Sequence, residues 1–125
     1  MRIVDASAIA ALLFDEAEGP QILELIRGQR LAAPALFGYE LANVCQMKCR
    51  RQPAQREAFL AAYALHRRLG VAEHPVEHSK VLALAEATHL THYDASYLWL
   101  ARRLNVPLIT LDKALLALTP PPASP

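Results

Sequence analysis

Four carboxylates stand at comparable places along this chain. Asp5 ends the opening stretch "RIVD", Glu40 lies near the start of the helical segment after "RLAAP", Asp94 lies in the first turn of "THYDASYLWLARRL", and Asp112 directly follows "PLITL". Each has an ordinary structural role open to it. Asp5 and Asp112 can cap the helices that follow them. Asp94 stands three residues after Thr91, in capping-box register. Glu40 suits the positive end of its helix dipole. Taken together, four carboxylates at one rim repel one another, and their pKa values rise unless a cation sits among them. An all-oxygen donor set of this size suits a hard ion, Mg²⁺ or Mn²⁺. Such an ion activates water and stabilises charge growing on a phosphate during in-line displacement.

The elements needed to bring these acids together are legible as an alternation. "RIV" reads as a strand, and "SAIAALLF" as a helix with Ser7 as its N-cap. "PQILELIRG" is a second helix between Pro20 and Gly28, with Ile22, Leu25 and Ile26 on one face. "RLAAP" is a second strand. A long helix from Leu36 to Arg51 follows, with Leu41, Val44 and Cys45 at helical spacing. Pro53 opens another helix, "PAQREAFLAAYALHRRLG", that ends at Gly70. "VAEHP" is a third strand, "VEHSKVLALAEATHL" a helix with Val81, Leu84 and Ala85 inward, and "THYDASYLWLARRLN" another helix. "VPLITL" is the clearest strand, "DKALLAL" a last helical turn or two, and "TPPPASP" a disordered tail. The expectation is one domain over residues 1–118 with a Pro-rich tail at 119–125. The alternation implies a parallel sheet with helices on both faces, and ligand sites on such sheets lie beyond the carboxyl ends of the strands.

Composition narrows the field. At 125 residues with 54% hydrophobic residues, the chain buries a core without staples. A net charge of +1 points to neither nucleic acid nor membrane by itself. Cys45 and Cys49, four apart on one helix, are not oriented for a disulfide and read as small buried hydrophobes in a reduced compartment. The opening apolar run is flanked by Asp5 and Asp15 and is too short to span a bilayer, so it reads as neither a signal peptide nor a membrane helix, and the expected location is cytoplasmic.

The acid-bearing segments resemble those of PIN domains, and more narrowly VapC-type toxins of type II (VapBC) toxin–antitoxin pairs. "VDASAIAALLF" is similar to the first motif, "APALFGYELANV" to the second, and "THYDASYLWLARRLNVPLITLDKAL" to the third and fourth together, so the likeness covers nearly the whole chain. The resemblance implies a three-layer α/β/α sandwich with a central parallel sheet. It implies a Mg²⁺- or Mn²⁺-dependent endoribonuclease, with Asp5, Glu40, Asp94 and Asp112 holding the metal. Ser7 and Thr110 would hydrogen-bond the carboxylates or metal-bound waters, and Asn43 would brace Glu40. A VapB-like antitoxin and a homodimer are further implications. The chain departs from the family pattern after Asp112, where Lys113 and Leu115 stand.

RNA needs positive charge nearby. Lys48, Arg50, Arg51 and Arg56 cluster in the middle of the chain, whereas Arg102, Lys113 and His92 lie closer in sequence to the acids and are the expected RNA contacts. Apolar residues on "PQILELIRG" and "PAQREAFLAAYAL" are candidates for a groove that takes a partner helix. Three rival readings have identifiable signatures. A haloacid-dehalogenase-like phosphatase needs an acid at position 7, where Ser7 stands. A phosphoacceptor signalling domain needs an Asp after the third strand, where "VAEHP" offers Glu73. A non-catalytic PIN-like binding module has no need of four acids; a solitary nuclease without an antitoxin keeps them all.

Overall fold

The computed structural model describes residues 1–119. The strands are β1 (Arg2–Val4), β2 (Leu31–Ala33), β3 (Ala72–Glu73) and β4 (Leu108–Ile109). The helices are α1 (Ala6–Leu13), α2 (Gly19–Ile26), α3 (Leu36–Arg51), α4 (Arg56–Ala64), α5 (His78–Thr88), α6 (His92–Leu104) and α7 (Lys113–Leu116). The strands form one wholly parallel sheet in the order β3-β2-β1-β4.

That order decides which side each helix takes. The crossovers β1→β2→β3 all step one way along the sheet, and β3→β4 returns past them. Right-handed crossovers therefore put α1–α4 on one face and α5–α6 on the other. The packing agrees: α1 rests on α2 and α3, α3 on α4, and α5 on α6, with α6 against β1 and β4. The three-layer α/β/α arrangement expected from the sequence is present. Strand β1 lies centrally, with Ile3 and Val4 fully buried. The direction of crossover reverses between β1 and β4, so the switch point opens at their carboxyl ends.

Helix α3 has the bounds expected of it because Phe37, Leu41, Cys45 and Cys49 fall at four-residue steps and are all buried. Both thiols are free, and Sγ of Cys45 and of Cys49 donate weakly to the carbonyls of Phe59 and Arg56, fastening α4. Gly19, at the start of α2, is required by close approach: a Cβ there would stand 2.8 Å from the carbonyl oxygen of Ala11.

Several expectations need correcting. The N-cap of α1 is Asp5, whose side chain accepts from Ala8 N–H; Ser7 lies inside the helix and does something else. The stretch from Pro53 to Gly70 is not one helix. It is a 3₁₀ turn (Pro53–Gln55), α4, and a second 3₁₀ turn (Leu65–Leu69) that ends on Gly70 at φ +60°. No residue of this stretch is fully buried, and Tyr63 and Leu69 reach the core only partly, so its hold on α-helical register is weak. Of "VAEHP", only Ala72 and Glu73 pair as a strand, exposed at the sheet edge. Glu40 falls beyond the first turn of α3, which removes the helix-dipole role. The expected Pro-rich tail lies outside the described residues apart from Thr119. Among the described residues, no helix is long and apolar enough to cross a membrane.

Candidate active site

The parallel register builds the site. Val4 of β1 pairs with Ile109 of β4, so the next residues, Asp5 and Thr110, leave the sheet side by side at the switch point. The backbone N–H of Asp5 donates to the Ile109 carbonyl at 3.2 Å, which keeps the two chains in step there.

Asp5 is buried, at 5% exposure, and both of its oxygens are engaged. Ser7 Oγ donates to Oδ1 at 2.7 Å, Ala8 N–H donates to Oδ1 at 3.1 Å, and Thr110 Oγ1 donates to Oδ2. The two hydroxyls are themselves oriented. Leu111 N–H donates to Ser7 Oγ at 3.0 Å, and Asp112 N–H donates to Thr110 Oγ1 at 3.0 Å. Each hydroxyl has one proton. With its acceptor side facing a backbone N–H, that proton is left for Asp5. Ser7 and Thr110 thus contact a carboxylate as expected.

Asp112 caps α7, its Oδ1 accepting from Leu115 N–H at 3.1 Å. Thr91 caps α6 by accepting from Asp94 N–H at 3.1 Å; this uses the backbone of Asp94 and leaves its carboxylate without a donor among the described residues. Glu40 reaches over from α3, and Tyr97 O–H donates to its Oε1 at 2.7 Å. Tyr97 is 1% exposed, and burial followed by the neighbouring Glu40 pushes its phenol far above the ordinary range, so it stays a donor.

The electrostatics join the four acids. Burial raises the Asp5 pKa and outweighs the lowering by Thr110, Ser7 and Ala8, and the charge of Asp112 raises it further. Glu40 is raised by burial, partly offset by Tyr97, and then by the charges of Asp5, Asp94 and Asp112. Asp94 is raised by burial and then by Asp112 and Asp5. The carboxylates are near enough to resist one another's ionisation, as a single acidic cup requires. Among the described residues, no three His, Cys, Asp or Glu side chains stand close enough to hold one ion by themselves. Carboxylate oxygens are nonetheless the donors a hard cation such as Mg²⁺ takes, and since such an ion binds one or two carboxylates directly and keeps several waters, these residues could hold one partly through its water shell.

Other expected site residues make no hydrogen bond or ion pair with the four acids among the described residues. Asn43 is exposed, and no hydrogen bond to Glu40 is present among the described residues; it borders a shallow surface depression with Tyr39 and Gln46. The brace for Glu40 is Tyr97, which stands three residues after Asp94 and so shares its face of α6. Arg102 is exposed in the last turn of α6, eight residues beyond Asp94 and hence about 12 Å along the helix from it. Lys113 is exposed and follows Asp112 directly. His92 begins α6, its Nε2 2.9 Å from Nδ1 of His78. Lys48 is held by Glu16 at 3.0 Å, over the rings of Phe14 and Phe59.

The profile of the PIN domain matches residues 2–119. The chain belongs to the PIN-domain family. Ribonuclease VapC9 of Mycobacterium tuberculosis is 34% identical over 112 residues, which cover 90% of this chain and 86% of that protein. Among solved structures, PAE2754 from Pyrobaculum aerophilum superposes with a TM-score of 0.72 at 29% identity, covering 93% of this PIN domain and 82% of that chain. VapC20 of Mycobacterium tuberculosis, described as a sarcin–ricin loop cleaving toxin, has a TM-score of 0.68 over the whole of both chains; at 18% identity it bears on the fold alone. This PIN domain is VapC-like.

Proposed function

We propose that this chain is a metal-dependent endoribonuclease and the toxin of a type II toxin–antitoxin pair. What supports the reading is Asp5 at the β1/β4 switch point, fixed by two oriented hydroxyls, together with the charges of Asp5, Asp94 and Asp112 that act on Glu40. In this reading Asp5, Glu40, Asp94 and Asp112 hold Mg²⁺ or Mn²⁺, directly or through its waters. The ion supplies Lewis-acid stabilisation of the phosphate and a more acidic water.

The protein's own groups have distinct parts. Ser7 and Thr110 keep Asp5 rigid, and their donation favours its ionised form against the burial that raises its pKa. Tyr97 fixes Glu40. Asp94 has a carboxylate free of donors and a raised pKa, so its oxygens are suited to orient the attacking water and accept its proton. Lys113, beside Asp112, and His92, two residues before Asp94, are placed in sequence to meet phosphate; Arg102 is the more distant candidate. Leu23 on α2 and Leu60 on α4 are exposed, which supports a groove for a VapB-like antitoxin helix. A homodimer and a cytoplasmic location complete the reading.

The test is cleavage of single-stranded RNA by the purified, partner-free protein. Cleavage with Mg²⁺ or Mn²⁺ that stops with EDTA, and falls about a hundredfold or more in Asp94→Asn, supports the reading. RNA binding without cleavage under any of these conditions would favour a non-catalytic PIN-like module. A neighbouring reading frame for a small DNA-binding antitoxin separates the toxin from a solitary nuclease.

A further inference from the structure

We propose that a cleft near the acidic cup holds one unpaired nucleobase of the RNA, stacked on Tyr39 and Tyr93 with the His78–His92 pair as a polar wall; this rests on the ribonuclease reading above. The cleft has a volume of about 390 Å³ and lies where the carboxyl ends of β2 and β3 meet the start of α6, with Pro34 and Val76 in its wall. Since β2 neighbours β1 in the sheet, this rim adjoins the switch point that carries Asp5 and Asp112. Two large aromatic rings are left open there: Tyr39 is 77% and Tyr93 63% exposed. Tyr39 immediately precedes Glu40, and Tyr93 immediately precedes Asp94. The two rings thus stand on the same turns of α3 and α6 as two of the acids.

The histidine pair gives the cleft a polar edge. The His78 and His92 rings meet edge to edge, their centroids 5.2 Å apart and their planes within 24°, with His78 Nδ1 2.9 Å from His92 Nε2. One of these nitrogens donates to the other. With both rings neutral, the outer nitrogens, His78 Nε2 and His92 Nδ1, are then one donor and one acceptor, whichever tautomer is present. These two nitrogens lie on opposite sides of the pair, so one of them at a time can meet a polar group of the base, and aromatic faces with a hydrogen-bonding group beside them are how unpaired bases are bound.

The experiment uses wild-type protein, Mn²⁺ and a short single-stranded RNA in which each nucleotide in turn is replaced by an abasic one. The expected result is one position beside the cleaved bond where removing the base lowers kcat/KM about five- to 150-fold, the range of base–aromatic stacking, chiefly through KM. Tyr39→Ala and Tyr93→Ala should lose a similar factor on intact RNA and lose the sensitivity to that abasic position, whereas Tyr39→Phe retains both. A flat abasic profile, or variants as base-sensitive as the wild type, overturns the proposal while leaving the ribonuclease reading intact. Variants that only weaken a protein partner's binding overturn it too, since the cleft then serves that partner. No cleavage of the intact RNA sinks both readings.

Discussion

Thr110 donates its hydroxyl proton to Asp5 Oδ2, joining residues 105 apart in sequence at the carboxyl ends of two adjacent strands. The contact exists because β1 and β4 are neighbours across the reversal in crossover direction. It is also directional, since Asp112 N–H occupies the hydroxyl's acceptor side. Thr110→Val keeps the shape and removes the donor. One oxygen of a buried carboxylate then loses its partner, costing about 1–3 kcal/mol. Urea unfolding of the metal-free protein should register this, whereas Ser7→Ala, at a half-buried position, should cost less.

The raised acids make a pH prediction. Asp5, Glu40 and Asp94 all have folded-state pKa values above their unfolded ones. Between the two values the folded protein binds more protons than the unfolded chain, so stability falls as pH rises. Metal-free protein should therefore melt higher at mildly acidic pH than at pH 7, the loss beginning near pH 4 and continuing through the raised values. Mn²⁺ should restore melting temperature at pH 7 and do little once the carboxyls are protonated. Thermal scans of wild type and Asp5→Asn from pH 4 to 8 measure this, and the variant should show a shallower decline.

Tyr97→Phe tests the brace on Glu40. The ring stays buried and only the hydrogen bond goes, so stability changes by about 1 kcal/mol. Loss of such a supporting contact typically weakens metal binding or activity about 10- to 100-fold. The effects of Tyr97→Phe and Glu40→Gln on activity should not add, because both remove the same contact.

Gly19 and Gly38 predict opposite outcomes for one substitution. Gly19→Ala drives a Cβ against the Ala11 carbonyl at the α1–α2 junction, and overpacking of this kind costs about 1–3 kcal/mol. Gly38 lies within α3, and a methyl group added there would meet nothing within 4 Å, so Gly38→Ala should stabilise by about 0.4–1 kcal/mol. Paired melting curves decide it.

The features legible in sequence follow from local physics. The buried ladder Phe37–Leu41–Cys45–Cys49 gives α3 its bounds, and the strand-then-acid pattern at Asp5 and Asp112 marks the switch point. Hidden features depend on tertiary pairing. Tyr97 and Glu40 are 57 residues apart, and nothing local distinguishes Tyr97 from a core aromatic or Asn43 from a brace. The break-up of the Pro53–Gly70 stretch is invisible in sequence because its apolar residues suit a helix, whereas in the fold they reach the core only partly. Ser7 reads as a cap because Ser is a good one; Asp5, two residues earlier, takes that place and frees Ser7 to donate to it.

The central claim, that these carboxylates form one cup for a divalent ion, is tested most directly by calorimetric titration of the chelator-treated protein with Mn²⁺ at pH 7. Saturable uptake is expected for the wild type, with binding weakened about tenfold or more in Asp5→Asn and in Asp94→Asn. No measurable uptake by the wild type, or equal affinity in all three proteins, would contradict it.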